Sequence, residues 1–460
     1  ERGDSIEEAM KRFRACSLDQ PFLMPPSLQD WLPEDHLARF IAQVVGELDL
    51  GEICQAYQRR DGRGKAAYHP EMMVRVLLYC YATGVRSSRR IERASYEDVA
   101  VRYLSADQHP DHDTIAAFRR EHLGALSKLF AQVLELCWKA GLVKLGQVAI
   151  DGTKMEANAG KHRNVGYRDL SEREREWAAR VAEMLEEARR SDEEEDGRYG
   201  AGQRGDELPE ALRTAEAQLE RIRAAKQELE REAREKAEQV RREREVQGGK
   251  PRDEAQKKRW LRHRRETPAP ASQGNLTDPE SRLMVDGATK AYVQGYNAQL
   301  AVDGGSHLIV AQDVVTDRTD NQQLPAMLGR VEEVAGRAPE LTTADAGYWN
   351  EWELQGLVDR GCDVLVAPER VGWRARLRVR TRQGPLARKM RQRLATEEGL
   401  RQYLQRQASV EPVFGWIKSI LGYRKFLLRG LAGVRGEWSL ICTAVNLRRL
   451  FRLLPAAVGV

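Results

Sequence analysis

The chain has no pair of cysteines close enough to form a metal clip. Its six cysteines (Cys16, Cys54, Cys80, Cys137, Cys362 and Cys442) are scattered over 460 residues without any C-x-x-C spacing. A zinc-cluster or disulfide-framework scaffold is therefore excluded, and a reducing cytoplasm is expected. No apolar run approaches the ~18 residues of a membrane span, and no secretory leader is legible, so no membrane partner is expected. A start at Glu1 instead of Met is expected of a trimmed or altered N-terminus. Net charge is also scarce, because 75 basic and 70 acidic residues leave only +5. Distribution along the chain must then carry the argument about partners. The length suggests about three domains.

Among the features present, the run Val148-Ala149-Ile150-Asp151-Gly152-Thr153-Lys154 organises the rest. It is a short apolar stretch ending in a carboxylate and a glycine, the pattern of a buried strand that delivers one Asp. Leu341-Thr342-Thr343-Ala344-Asp345-Ala346-Gly347 repeats the pattern, and Val410-Glu411-Pro412 opens what reads as a helix. Ser409 is the expected N-cap there, because Pro412 belongs in a first turn; Tyr403 and Arg406 then fall on a preceding segment. Three such carboxylates suit a site holding two divalent ions for phosphodiester chemistry. Oxygen-only ligands favour Mg²⁺, with Mn²⁺ as a substitute. An Asp after an apolar run is more often a strand-end turn residue, so spacing alone leaves both readings open.

The basic residues are patterned too. From Pro70 to about Gly141 the periodicity is helical, with Arg89, Arg90, Arg119 and Arg120 on short segments joined by tight turns. That suits a helix-turn-helix-like DNA module; the competing reading is an all-helical scaffold with solvated arginines. Asp113 is the expected N-cap of the helix that begins at Thr114. In Trp373–Arg382 an arginine occupies every second position: Arg374, Arg376, Arg378, Arg380 and Arg382. On a strand all five would line one face, and with no acid beside them that face is expected to meet the DNA backbone. Between the first and second core strands, Ser171-Glu172-Arg173-Glu174 reads as a capping box. Leu212, Ala215, Leu219, Ile222 and Leu229 then recur near heptad spacing. A helical hairpin is expected, with an acidic turn over Ser191 to Leu208. Its apolar stripe has three possible uses: pairing the two arms, binding another protomer, or carrying DNA.

The words Ile150-Asp151-Gly152-Thr153-Lys154, Gly295-Tyr296-Asn297-Ala298-Gln299, Ala344-Asp345-Ala346-Gly347-Tyr348 and Tyr403…Arg406…Glu411…Lys418 occur in consistent order. Together they resemble the DDE transposases of bacterial insertion sequences, the last group resembling the Tyr-Arg-Glu-Lys signature of that superfamily. The resemblance implies an α/β fold: a ribonuclease H-like mixed-sheet catalytic core with an all-helical N-terminal DNA-binding region and a helical-hairpin insertion. The expected division is an N-terminal arm (1–69), a helical DNA-binding domain (70–141), a catalytic domain (142–168 and 269–422), the insertion (169–268) and C-terminal helices (423–460). The resemblance further implies that Asp151, Asp345 and Glu411 hold two Mg²⁺ ions. Tyr403, Arg406 and Lys418, joined by Lys154, would contact DNA. Tyr348, Trp349 and Trp416 are candidates for stacking on an unpaired base, with core packing as the plainer role. The expected partners are double-stranded DNA, both transposon ends and target, and a second copy in a homodimer on DNA. The setting is the nucleoid-associated bacterial cytoplasm. A nuclease of the same fold, and a DNA-binding regulator or domesticated transposase without strand transfer, are the alternatives.

Overall fold

Apolar periodicity builds the first half of the molecule from helices alone. The computed structural model describes residues 27–58, 66–199, 210–246, 248–251, 254–287, 289–369 and 384–457. Helices α1 (Leu37–Glu47), α2 (Gly51–Gln58), α3 (Pro70–Ala82), α4 (Ser88–Glu97), α5 (Val99–Leu104), α6 (His112–Glu121) and α7 (Leu123–Lys139) pack on one another. Pro70 opens α3 at a position where its missing N–H costs nothing. Helix α6 starts at His112, not at Thr114. Its cap is Asp111, whose carboxylate accepts from Thr114 N at 2.7 Å, so the expectation for Asp113 is corrected by two residues.

The sheet begins with β1 (Gln147–Glu156). It continues after the insertion with β4 (Arg282–Val285), the hairpin β5 (Tyr292–Asp303) and β6 (Ile309–Val315), then β7 (Leu341–Ala344) and β8 (Val364–Val366). Its order is β4-β5-β1-β7-β8, with β6 also on β5. Strands β1, β5 and β6 run antiparallel, whereas β1, β7 and β8 are parallel. Parallel neighbours need long crossovers, and helices α11 (Leu324–Ala335) and α12 (Glu351–Asp359) lie in those connections. Strand, hairpin, helix, strand, helix, strand, helix is the expected ribonuclease H-like order, in a mixed sheet. Helices α13 (Pro385–Ala395) and α14 (Glu397–Gly415) follow, and α14 crosses β1.

A last helix, α15 (Leu431–Ala457), packs against α3, α7 and β6 and joins the helical half to the sheet. Its Trp438 is fully buried and donates its Nε1–H to Gln299 O at 3.3 Å. One continuous apolar core therefore runs from Ala38 to Leu450.

The insertion leaves through β2 (Asn164–Gly166) and returns through β3 (Gln273–Asn275), which pair with each other. Between them lie α8 (Tyr167–Tyr199), α9 (Glu210–Val246) and α10 (Glu254–Arg262). Two expectations are corrected here. Ser171 sits inside α8, bonded back to Tyr167 O at 3.0 Å, so it caps nothing. The acidic stretch from Ser191 continues as helix to Tyr199; residues 200–209 lie outside the described residues. The apolar stripe pairs the two arms, where Val181 packs with Leu212, Ala215 and Leu219. Nearer the sheet, Ile222, Ala225 and Leu229 meet Val165, Leu170 and Leu276.

Candidate active site

Strand register places the two aspartates together. Ile150 pairs with Ala344 across the parallel β1–β7 ladder, so Asp151 and Asp345 are the next residues on adjacent strands. Neighbouring strands lie about 4.8 Å apart, close enough for the Asp345 charge to act on Asp151. Strand β7 ends at Ala344. Asp345 then caps a single 3₁₀ turn, its carboxylate accepting from Gly347 N at 2.8 Å. Asp151 lies within β1, where side chains alternate between faces. Asp151 and Thr153 turn toward α14, and Gly152 and Lys154 turn to the opposite face.

On the α14 side, Arg406 Nη1 stands 3.4 Å from Asp151 Oδ2. Lys418 Nζ donates to Thr153 Oγ1 at 2.6 Å and to Lys154 O at 2.8 Å. Burial pushes the Asp151 carboxyl up to about 7. The Arg406 charge lowers it, and the Asp345 and Asp320 charges raise it again. Burial also holds the Lys418 ammonium below its ordinary value. Arg406 and Tyr403 are themselves buried, the guanidinium lying 5.5 Å from the Tyr403 ring centroid. Arg406 here faces Asp151, and Tyr403 packs beside Arg406, so neither side chain faces outward.

Glu411 does not open a helix. Helix α14 starts at Glu397, capped by Thr396, and carries Tyr403, Arg406 and Glu411 together, with Pro412 in its interior. The expected cap at Ser409 is corrected, because the tertiary packing of α14 on β1 outweighs the cost of one missing backbone donor. Past Gly415 the helix widens into a single π turn, Trp416–Ile420, closed by Leu421 N to Trp416 O at 2.9 Å. Such turns recur at functional sites. Glu411 is exposed and makes no hydrogen bond or ion pair among the described residues.

A polar network that the sequence reading missed lies on the other face of β1. Asp320 accepts from Asn297 Nδ2 at 2.6 Å and from Gln299 Nε2 at 2.9 Å, and stands 3.5 Å from Lys154 Nζ. Tyr348 donates its hydroxyl to Gln299 Oε1. Asn297 and Gln299 were legible as part of a motif, but Asp320 had no signal, since it follows β6 in a loop. Gly152 makes room for the network. A Cβ there would collide with Gln299 Nε2 and lie 2.6 Å from Asp320 Oδ1 and 3.1 Å from Asn297 Oδ1. Gly152→Ala is accordingly expected to destabilise the fold by about 1–3 kcal/mol, through displaced buried amides. Denaturant titration checks this, and an unchanged midpoint would mean that the network gives way freely.

The other predicted contacts divide. Arg89, Arg90 and Arg120 are exposed. Arg119 is not, and its expected DNA contact is corrected: the side chain is buried and donates to Tyr81 Oη at 3.1 Å and Arg86 O at 2.9 Å. Lys154 is turned onto Asp320, and burial holds its ammonium below the ordinary value. Tyr348 and Trp349 are buried in the core, which leaves neither ring a face for a base. Trp416 is half-buried under two arginines. Arg374, Arg376, Arg378, Arg380 and Arg382 lie outside the described residues.

The donors suit a hard divalent cation in part. The Asp345 charge raises the cost of charging Asp151; on the opposite face of β1, Asn297 keeps a buried Oδ1 without a partner. Oxygen donors of this kind match Mg²⁺ or Mn²⁺. Among the described residues, however, no three His, Cys, Asp or Glu side chains gather closely enough to hold an ion, so Glu411 stands apart from the pair.

Comparison with known proteins agrees with this architecture. Residues 277–447 match the family described as "Transposase DDE domain", a span that includes Asp345, Glu411 and Lys418. Residues 26–121 match "Transposase domain (DUF772)", which covers α1 to α6. Strand β1 with Asp151 precedes the first span, separated from it by the insertion. No curated protein and no solved structure matches the chain. Two transposase families in order cover more than half of the residues, on a helical region followed by a mixed sheet, and the chain belongs to the DDE transposases of insertion sequences.

Proposed function

We propose that this protein binds the terminal inverted repeats of its own element, cleaves the DNA ends and transfers the 3′-hydroxyl ends to target DNA, working as a homodimer. The observation that carries the reading is the in-register placement of Asp151, in the middle of β1, beside Asp345, just past the end of the parallel strand β7, with α14 and its Glu411 crossing β1. DDE transposases as a family act on DNA with divalent metal ions. In this reading Asp151, Asp345 and, from α14, Glu411 would hold two Mg²⁺ ions, which would activate the attacking oxygen and stabilise the leaving one; because Glu411 stands apart from the two aspartates, its part requires α14 to move toward them. Arg406 orients the Asp151 carboxylate and offsets its burial. Lys418 braces the β1 backbone beside the reacting phosphate. Water, and then the freed 3′-hydroxyl, attack the phosphodiester in successive in-line displacements, so no nucleophilic side chain is needed. Residues 70–141 present Arg89, Arg90 and Arg120 to the DNA backbone.

The test is cleavage of DNA carrying the inverted repeats that flank the gene, in Mg²⁺, followed by a search for joined target DNA. Cuts at the repeat ends with joined products are expected. Cuts without joining would leave a nuclease of the same fold. A second reading, a DNA-binding protein without chemistry, draws on the position of Arg406 against Asp151, where a guanidinium already answers the carboxylate. Repeat binding without any cut would decide for it.

A further inference from the structure

Between the end of α14 and α15 lies a cavity of about 120 Å³, several waters in size. Val413 and Trp416 of α14 and the π turn, His307 of the β5–β6 turn, and Arg448, Arg449 and Arg452 of α15 line it. The Arg448 and Arg452 guanidinium carbons each lie 4.8 Å from the Trp416 ring centroid, which holds both groups in place. Arg448 Nη1 donates to Ala82 O and Arg449 Nε to Ser306 O, both at 2.8 Å. These are neutral acceptors. Among the described residues no carboxylate pairs with any of the three arginines. Burial, followed by the Arg452 charge, holds the Arg448 and Arg449 guanidiniums below their ordinary values. Three cations thus converge on one hollow, each with donors to spare, and nothing in the described fold neutralises them.

We infer that this cavity binds a phosphate group, at a site separate from the Asp151–Asp345 pair. Guanidiniums present forked donors that match phosphate oxygens, and the partly apolar wall strengthens each such bond. Trp416 opens the π turn whose Lys418 holds Thr153, so an anion seated here also pins the turn that reaches the catalytic strand. The phosphate can come from a DNA backbone, in which case the inference rests on the transposase reading above, or from a free phosphorylated molecule.

Two titrations of the full chain distinguish these sources. One follows thermal stability with inorganic phosphate against chloride at equal ionic strength. The other follows affinity for a short duplex lacking the repeats as salt is raised. Arg452 is exposed and bonds to no backbone group, so Arg452→Gln is expected to fold, and its melting temperature in chloride is the reference for its own phosphate titration. In that variant the phosphate affinity is expected to fall about tenfold, and the salt slope of duplex binding by about 0.9. Arg452→Lys, which keeps the charge, restores most of both. A change in slope identifies the DNA backbone as the source, whereas a loss confined to inorganic phosphate identifies a free phosphorylated molecule. Equal behaviour of Arg452→Gln and wild type in both titrations overturns the inference. Wild-type protein that ignores duplex DNA altogether would refute the transposase reading, and the phosphate titration would still decide this one.

Discussion

Asp151→Asn is expected to reduce cleavage of repeat DNA by more than about two orders of magnitude, while leaving the metal-free protein at least as stable as wild type above neutral pH. Loss of a residue that only supports a metal ligand already costs about 10- to 100-fold, and Asp151 is proposed as a ligand itself. The stability half follows from linkage. Burial raises the Asp151 carboxyl from 3.8 to about 7. Its contribution to folding is therefore fully present below about pH 4 and is lost as pH rises through 7. Asparagine has the same shape and does not ionise. The melting temperatures of the two proteins in chelator should coincide at the acid end and separate in favour of the variant between pH 4 and 8. If the curves run parallel, the carboxyl is not raised; if the variant cuts normally, Asp151 is not a ligand.

Arg282→Met is expected to cost about 3–5 kcal/mol, the usual penalty for removing one partner of a buried ion pair. Arg282 is 4% exposed and Glu228 8%. Its Nη2 lies 2.8 Å from Glu228 Oε1 and 3.0 Å from Glu232 Oε2, while Nη1 donates to Pro279 O and Ser281 O. These bonds fasten α9 of the insertion to β4 at the sheet edge. Without the guanidinium, among the described residues, Glu228 keeps only the half-exposed Arg231, at 2.7 Å, and Glu232 only Lys236, so both acids lose their buried partner. Replacing Glu228 as well, by Gln, should recover part of the loss. Denaturant unfolding of the single and double variants measures the coupling. Additive losses would show that the junction is held by Ile222, Ala225 and Leu229 instead.

Local pattern made much of this protein legible. Asp303-Gly304-Gly305, a turn sequence between two β-rich runs, fits the β5–β6 hairpin. Apolar periodicity places α11 and α12, and short apolar runs place β1, β7 and β8 in the order observed. These signals live within ten or so neighbouring residues, where propensity and burial agree. The helical hairpin was visible for the same reason, with its register of Leu212, Ala215, Leu219 and Leu229.

What escaped depends on partners far away in the chain. Arg119 reads as a surface cation, yet Tyr81 and Arg86 enclose it. Arg406 is buried because Asp151, 255 residues earlier, faces it across α14 and β1. Pro412 signals a helix start by its missing donor, and only the packing of Tyr403, Arg406 and Val410 against the sheet keeps α14 continuous through it. Asp320 carries no local pattern, and gains its place from amides on a strand that precedes it by some twenty residues. The sequence by itself determined the strand and helix order, the two aspartates and the family; β1, however, runs past Asp151 to Glu156 rather than ending there. The tertiary structure alone decided which charges face solvent and which face one another, because desolvation and pairing depend on what packs alongside, and periodicity does not encode that.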